Sequence, residues 1–262
     1  VAALEAAGIF WYRLLKIKNH PISCKRSEGW VMRKRTPLFF RSVYDEHALD
    51  NCFSDLLHAS MAEQDKIEIG CLIQYFSILK HYGRFALPVD ITKHRQGEGP
   101  DFTICAGEDG LFGVEMTKVT TQDYQVWLKR RRNYRAIRDV ADYLDFRPEE
   151  RVGELAAVRA MRKNYKITNY FAAVSEMSAC DLVLEENGDC SLDPDQQMAV
   201  LRQHICTLPN QRFRRISMIS GSVLFYAINT PEAEIFEAPD SIPEWLRTPK
   251  SPLGAPEHAF WH

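Results

Sequence analysis

The chain has 262 residues, 45% of them hydrophobic and 26% charged, with a formal net charge of −2. That is enough apolar material for one large domain, or a domain with an N-terminal extension, and no apolar run reaches the length of a membrane span. A net charge so near zero names no partner, so a nucleic-acid site has to come from local clustering.

Residues 1–20 carry a short apolar helix pattern (Ile9, Phe10, Tyr12, Leu14, Leu15) that ends before Pro21. The opening stretch contains Glu5 and lacks a basic leader, which makes a poor signal peptide. From 24 to 44 basic and aromatic residues interleave: Lys25, Arg26, Trp30, Arg33, Lys34, Arg35, Phe39, Phe40 and Arg41. Such interleaving can bind nucleic acid, but a solvated basic strand pair beside a small core is the favoured reading. Between Asp45 and Tyr82 the pattern is helical, with Ile69, Leu72, Ile73, Phe76 and Leu79 in one stripe and Gly83 where the helix would end. Leu87 to Thr92 reads as a short strand or extended linker, and Lys93 to Gly99 as a polar loop containing Lys93 and Arg95.

Residues 99–118 form the most informative stretch. Gly107-Glu108-Asp109-Gly110 is turn punctuation between two apolar-rich strands. If the turn is centred on Glu108, Asp101 falls directly opposite Glu115. Strand side chains alternate, so Asp101, Thr103, Gly113, Glu115 and Thr117 share one face. Phe102, Ile104, Phe112, Val114 and Met116 share the other, which is wholly apolar. Directly opposed residues have Cβ atoms roughly 4.5–5.5 Å apart. Two carboxylates at that distance repel, and sheet stability gives no reason for placing them there. A divalent cation does, since hard cations take carboxylate oxygens.

After the hairpin a helix begins near Thr121 and carries Lys129, Arg130, Arg131, Arg132, Arg135 and Arg138. This is the strongest local charge bias in the chain and suits phosphate contact. Pro148-Glu149-Glu150 starts another helix, with Leu155, Val158, Met161 and Tyr165 as its core stripe and Lys163, Lys166 and Tyr170 on a different face. Cys180 to Glu186 reads as a buried strand. Asp193-Pro194 caps a helix with Met198, Leu201 and Ile205 inward. Strands at 215–220 and 223–228 flank Gly221-Ser222, as a hairpin or one bulged strand. A proline-rich tail follows from Pro231. The cysteines, at 24, 52, 71, 105, 180, 190 and 206, are odd in number and have no CxxC pair. That disfavours a zinc cluster or disulfide framework and fits a reducing, cytoplasmic setting.

Pro100-Asp101, a short hairpin, then Glu115-x-Thr117-Lys118 after an apolar strand resembles the PD-(D/E)xK nuclease superfamily. The matching part runs from about Glu68 to Ile228, in the order helix, hairpin, helices, strand, helix, strand. The resemblance implies an α/β, restriction-endonuclease-like core, a central mixed sheet flanked by helices, following an N-terminal helical and basic extension. On that basis the chain divides into an extension (1–60), a core (61–230) and a proline-rich tail (231–262).

The implied activity is Mg²⁺- or Mn²⁺-dependent hydrolysis of phosphodiester bonds, with DNA favoured over RNA. Asp101 and Glu115 would hold the metal. The Met116 carbonyl would be a further ligand, and Glu68, or second Glu63, the acidic residue of the first core helix. Thr117 stands where the family pattern has lysine, and Lys118 comes one place late. Thr117 can only hydrogen-bond a water, so the positive charge comes from Lys118 through a bulge, or from Lys166 or Lys163 on the later helix. Lys93, Arg95, Lys129, Arg130, Arg131 and Arg132 would contact nucleic acid. The alternatives are an impaired, nuclease-like domain that binds nucleic acid without cutting, and a protein-interaction module. No membrane association is expected, and homodimer assembly is left open.

Overall fold

The computed structural model describes residues 39–45, 48–49, 51, 63–95, 97, 99–107, 110–119, 148–186 and 192–242. The backbone divides into units 1–36 and 37–262, and every described residue lies in the second. The molecule is mixed α/β. Among the described residues its sheet has eight strands in sequence order: β1 (Phe39–Val43), β2 (Val89–Lys93), β3 (Phe102–Ala106), β4 (Gly110–Lys118), β5 (Ala179–Glu186), β6 (Ile216–Ser220), β7 (Val223–Tyr226) and β8 (Glu234–Glu237).

Strands β1 to β4 pair antiparallel, β4, β5 and β6 pair parallel, and β6 to β8 return to antiparallel. The change of sense follows the connections. Short turns can only reverse a chain, whereas parallel neighbours need a crossover of about a dozen residues or more. The β4–β5 crossover contains α2 (Pro148–Asn164) and α3 (Ile167–Ala173); the β5–β6 crossover contains α4 (Pro194–Ile205). Helix α1 (Glu63–His81) precedes β2.

Helices cover both faces of the sheet. The apolar face of the hairpin, with Phe102, Ile104, Phe112, Val114 and Met116, packs in one buried cluster with Ile69, Leu72, Ile73 and Phe76 of α1. The second cluster joins Cys180, Leu182 and Leu184 of β5 to Val152, Ala156 and Ala160 of α2, Ile167 and Tyr170 of α3, and Met198, Leu201 and Ile205 of α4. A central strand of a sheet sandwiched in this way is buried on both faces, as β5 is from Cys180 to Glu186, its acids Asp181, Glu185 and Glu186 included.

Local signals account for the helix ends. Gly83 takes φ +67°, its N–H reaches the Lys80 carbonyl at 3.1 Å, and the Arg84 N–H reaches the Leu79 carbonyl at 2.7 Å. These paired bonds close α1 in a glycine-terminated cap that satisfies its last carbonyls. Asp193 caps α4 by accepting from the Gln196 N–H at 3.0 Å, with Pro194 in the first turn.

Three expectations change and one alternative is resolved. The sheet takes in β1 and β8, which the division into 1–60, 61–230 and 231–262 leaves outside the core; each supplies backbone partners to a strand that would otherwise be an edge. Lys93 ends a strand instead of opening a loop. Of the two alternatives for residues 216–226, the structure takes the two-stranded hairpin. On α2 the inward stripe is Val152, Ala156 and Ala160, whereas Met161 is 38% and Tyr165 78% exposed. Large apolar side chains mark a buried face poorly when the helix sits close to its neighbours, because small residues make that approach. Among the described residues, no helix is long and apolar enough to cross a membrane.

The α2–α4 approach is tight at Gly153, where an added Cβ would lie 2.7 Å from Val200 Cγ1 and 2.9 Å from the Val200 carbonyl oxygen. A backbone oxygen cannot swing aside as a side-chain tip can. Gly153→Ala is therefore expected to cost about 1–3 kcal/mol, read as a lower denaturation midpoint with an unchanged m-value. An unchanged midpoint would show that the helices separate freely.

Candidate functional site

The β3–β4 register pairs Phe102 with Val114, Thr103 with Gly113 and Ala106 with Gly110. One step beyond Phe102, the same register sets Asp101 opposite Glu115. The two carboxylates are interlocked with each other's backbone. The Asp101 N–H donates to Glu115 Oε2 at 3.1 Å, and the Met116 N–H donates to Asp101 Oδ2 at 2.8 Å. Gly113 makes room for this arrangement: a Cβ there would lie 3.0 Å from Pro100 Cγ, 3.2 Å from Cys180 Sγ and 2.5 Å from Met177 Sδ. The Pro100 ring thus sits over Gly113 and fixes where the chain enters β3 at Asp101.

Glu115 is 2% exposed. Its Oε1 accepts from the Lys163 ammonium, which reaches it from the last turn of α2, and from the Tyr170 hydroxyl on α3 at 2.7 Å. Burial, then the charge of Glu115, pushes the Asp101 carboxyl up to about 7, although Lys163 and the Met116 N–H pull the other way. Tyr170 is raised by burial and then by Glu115, so it stays a neutral donor. Cys180 is raised by burial and then by the same carboxylate, which keeps it a thiol.

A cavity of about 600 Å³ opens here, lined by residues that include Glu68, Lys93, Asp101, Glu115, Lys163, Lys166 and Tyr170. Glu68 is close enough for its charge to raise Asp101, but it is ion-paired with Lys93. The side chain of Glu63, the first residue of α1, lies outside the described residues. Lys166 lines the cavity and is exposed.

Two strand positions fall elsewhere. Thr117 is not among the cavity-lining residues. Lys118 stays in unbroken register with Glu185 and approaches its carboxylate at 3.8 Å, so no bulge turns it toward Glu115. The positive charge beside the carboxylates therefore comes from Lys163.

Lys93 does not offer a free cation to a phosphate. Its side chain is 3% exposed, paired with Glu68, 3.4 Å from Asp65, and its ammonium lies 4.8 Å from the Phe102 ring centroid. Arg95 is exposed beyond the end of β2 and does not line the cavity. Lys129, Arg130, Arg131 and Arg132 lie outside the described residues. Tyr170 is the contact the sequence left without a role. Its spacing of seven from Lys163 was the available signal, and the turn between α2 and α3 aims both at one carboxylate oxygen.

Among the described residues, no three His, Cys, Asp or Glu side chains converge as a ligand cluster. Two carboxylates are nevertheless the protein share that Mg²⁺ commonly takes, with waters and substrate phosphate supplying the rest. The upward shift of Asp101 comes first from burial and then from the facing Glu115 charge. Asp101 and Glu115 are oxygen donors of the hard type that divalent ions take, and both Glu115 oxygens also accept from protein donors. Comparison with protein-family models, curated proteins and solved structures finds no significant match to this chain.

The raised pKa has a signed consequence. The folded state keeps on Asp101 a proton that the unfolded chain, at 3.8, releases. Stability from this group is therefore greatest below the unfolded pKa and falls as pH rises toward the folded value of about 7. Asp101→Asn keeps an acceptor for the Met116 N–H and removes the titration. In chelator, the variant is expected to gain about 2–4 kcal/mol on the wild type between about pH 4 and pH 8. Parallel pH profiles in denaturant titrations would show that the folded Asp101 carboxylate is well solvated.

Proposed function

We propose that the protein is a divalent-metal-dependent nuclease with a restriction-endonuclease-like core. The observation that carries this reading is the opposed Asp101–Glu115 pair, buried at a cavity, with a lysine ammonium delivered to it from the crossover helix. The chain order supports it too: α1, the antiparallel β2–β3–β4 unit, a helical crossover, then parallel β5. With β2 added ahead of the hairpin, and α4 and β6 following β5, this contains the order helix, hairpin, helices, strand, helix, strand of the PD-(D/E)xK resemblance.

Asp101, Glu115 and the Met116 carbonyl would hold the cation. Bound there, it would lower the pKa of a water and polarise the phosphoryl oxygen. The protein's own groups do the rest. The Met116 N–H orients Asp101 by holding Oδ2, and the Tyr170 hydroxyl and Asp101 N–H hold the two oxygens of Glu115. Lys163 brings a positive charge to the point where phosphate charge builds up. A preorganised cation in a water-poor site is worth more than the same charge in solvent.

One observation favours a second reading. Lys163 already neutralises Glu115, as a domain that binds nucleic acid without cutting it would need. A panel of labelled DNA and RNA, incubated with Mg²⁺ or Mn²⁺, separates the two. Metal-dependent cleavage that disappears in Asp101→Ala and Glu115→Ala supports the nuclease. Lys163→Ala is expected to lower kcat by roughly 10²–10³, with Lys118→Ala near wild type; the reverse pattern would move the catalytic lysine back to the strand. Binding that weakens with salt and yields no cleavage under either metal would select the second reading.

A further inference from the structure

The helical crossover does more than deliver Lys163. Residues 155–175 contain four cationic side chains, Arg159, Arg162, Lys163 and Lys166, and no acid. Their spacing of three, four and seven puts them along one side of α2 and into the turn before α3. Arg159 and Arg162 are near enough that the charge of Arg162, after burial, lowers the pKa of Arg159. Arg212 extends the patch, donating to Thr168 Oγ1 of α3 at 2.5 Å while itself exposed. In a chain with a net charge of −2, this concentration is local and lies at the rim of the cavity, which Lys163 and Lys166 both line.

Within this patch sits Tyr165. It follows Lys163 by two residues, immediately precedes Lys166, and is 78% exposed. Its backbone N–H closes the last turn of α2 on the Met161 carbonyl at 3.4 Å. The ring is therefore carried on a helix end and not on a loose loop. A single exposed aromatic is unremarkable alone. An exposed ring one residue from a cavity-lining lysine is the combination by which single-stranded nucleic acids are held: cations track the backbone and a ring stacks an unpaired base.

We propose that the α2–α3 corner is the binding track for a single-stranded nucleic acid, with Arg159, Arg162, Lys166 and Arg212 along the backbone and Tyr165 stacked on a base next to the scissile phosphate. This rests on the nuclease reading for its chemistry and goes beyond it by naming the substrate as a strand that is unpaired where it meets Tyr165. A duplex keeps its bases stacked on one another, so it cannot use the ring.

The test is binding without catalysis. Fluorescence anisotropy in EDTA compares labelled single strands, DNA and RNA, with a duplex of the same sequence, for the full chain and its variants. The wild type is expected to bind a single strand at least about tenfold more tightly than the duplex. Tyr165→Ala is expected to lose about 10-fold in single-strand affinity, with little change for the duplex, and Tyr165→Phe to restore it. Arg162→Ala with Lys166→Ala is expected to flatten the log–log salt dependence by about 1.4. Equal single-strand affinity in Tyr165→Ala, a preference for duplex, or an unchanged salt slope would each overturn the proposal. The outcome is separable from the nuclease reading. Single-strand binding through Tyr165 without metal-dependent cleavage sustains the track and removes the nuclease. Asp101-dependent cleavage that Tyr165→Ala leaves untouched sustains the nuclease and removes the track.

Discussion

Two carboxylates facing each other across a hairpin should push its strands apart. Here the repulsion is contained because each carboxylate also accepts a hydrogen bond from the other strand's backbone: Asp101 from Met116, and Glu115 from Asp101. Charge-assisted bonds of this kind are about twice as strong as neutral ones. Lys163 and Tyr170 then share one oxygen of Glu115. Remove any of these donors and a nearly fully buried carboxylate is left short of partners, which costs more than the bond itself is worth.

That constraint explains why the rest of the architecture is where it is. The hairpin alone could not bury Glu115, because its second face would be open to water. The β4–β5 crossover closes it, bringing α2 and α3 over that face together with their apolar cluster. The small residues of α2 and the glycine beside α4 permit the close approach. Gly113 admits the Pro100 ring. The outcome is an acidic pair desolvated enough to raise Asp101 to about 7, yet open to a cavity large enough for a phosphate. Burial of charge reduces stability, and perturbed carboxyls of this kind cluster at functional sites.

Other charged pairs in the structure show the contrast. Asp181 accepts two bonds from the Arg214 guanidinium, at 2.9 and 2.8 Å, and that guanidinium also lies 4.4 Å from the Phe112 ring centroid. There the charge is matched within the protein by a two-pronged partner and a ring face. Glu68 is matched by Lys93. At Asp101 and Glu115 the carboxyls are buried opposite one another at the cavity, with the Lys163 ammonium on Glu115 alone.

Much of this was legible in the sequence because it is local. The turn glycines and strand alternation determined that Asp101 would oppose Glu115, and the Pro148 and Asp193 signals marked where helices begin; these are short-range properties of backbone sterics and side-chain alternation. The choice among Lys118, Lys163 and Lys166 was not local. It depended on whether the parallel β4–β5 register ran without a bulge and on where the end of α2 came to rest, and only the packed crossover brings Lys163 against Glu115. Lys93 was misjudged for the same reason: its charge is written in the sequence, but its burial against Glu68 comes from how α1 lies on β2. Residue type and period establish which side chains share an element's face; which of those faces meet, and so which charges compensate one another, follows only from long-range packing.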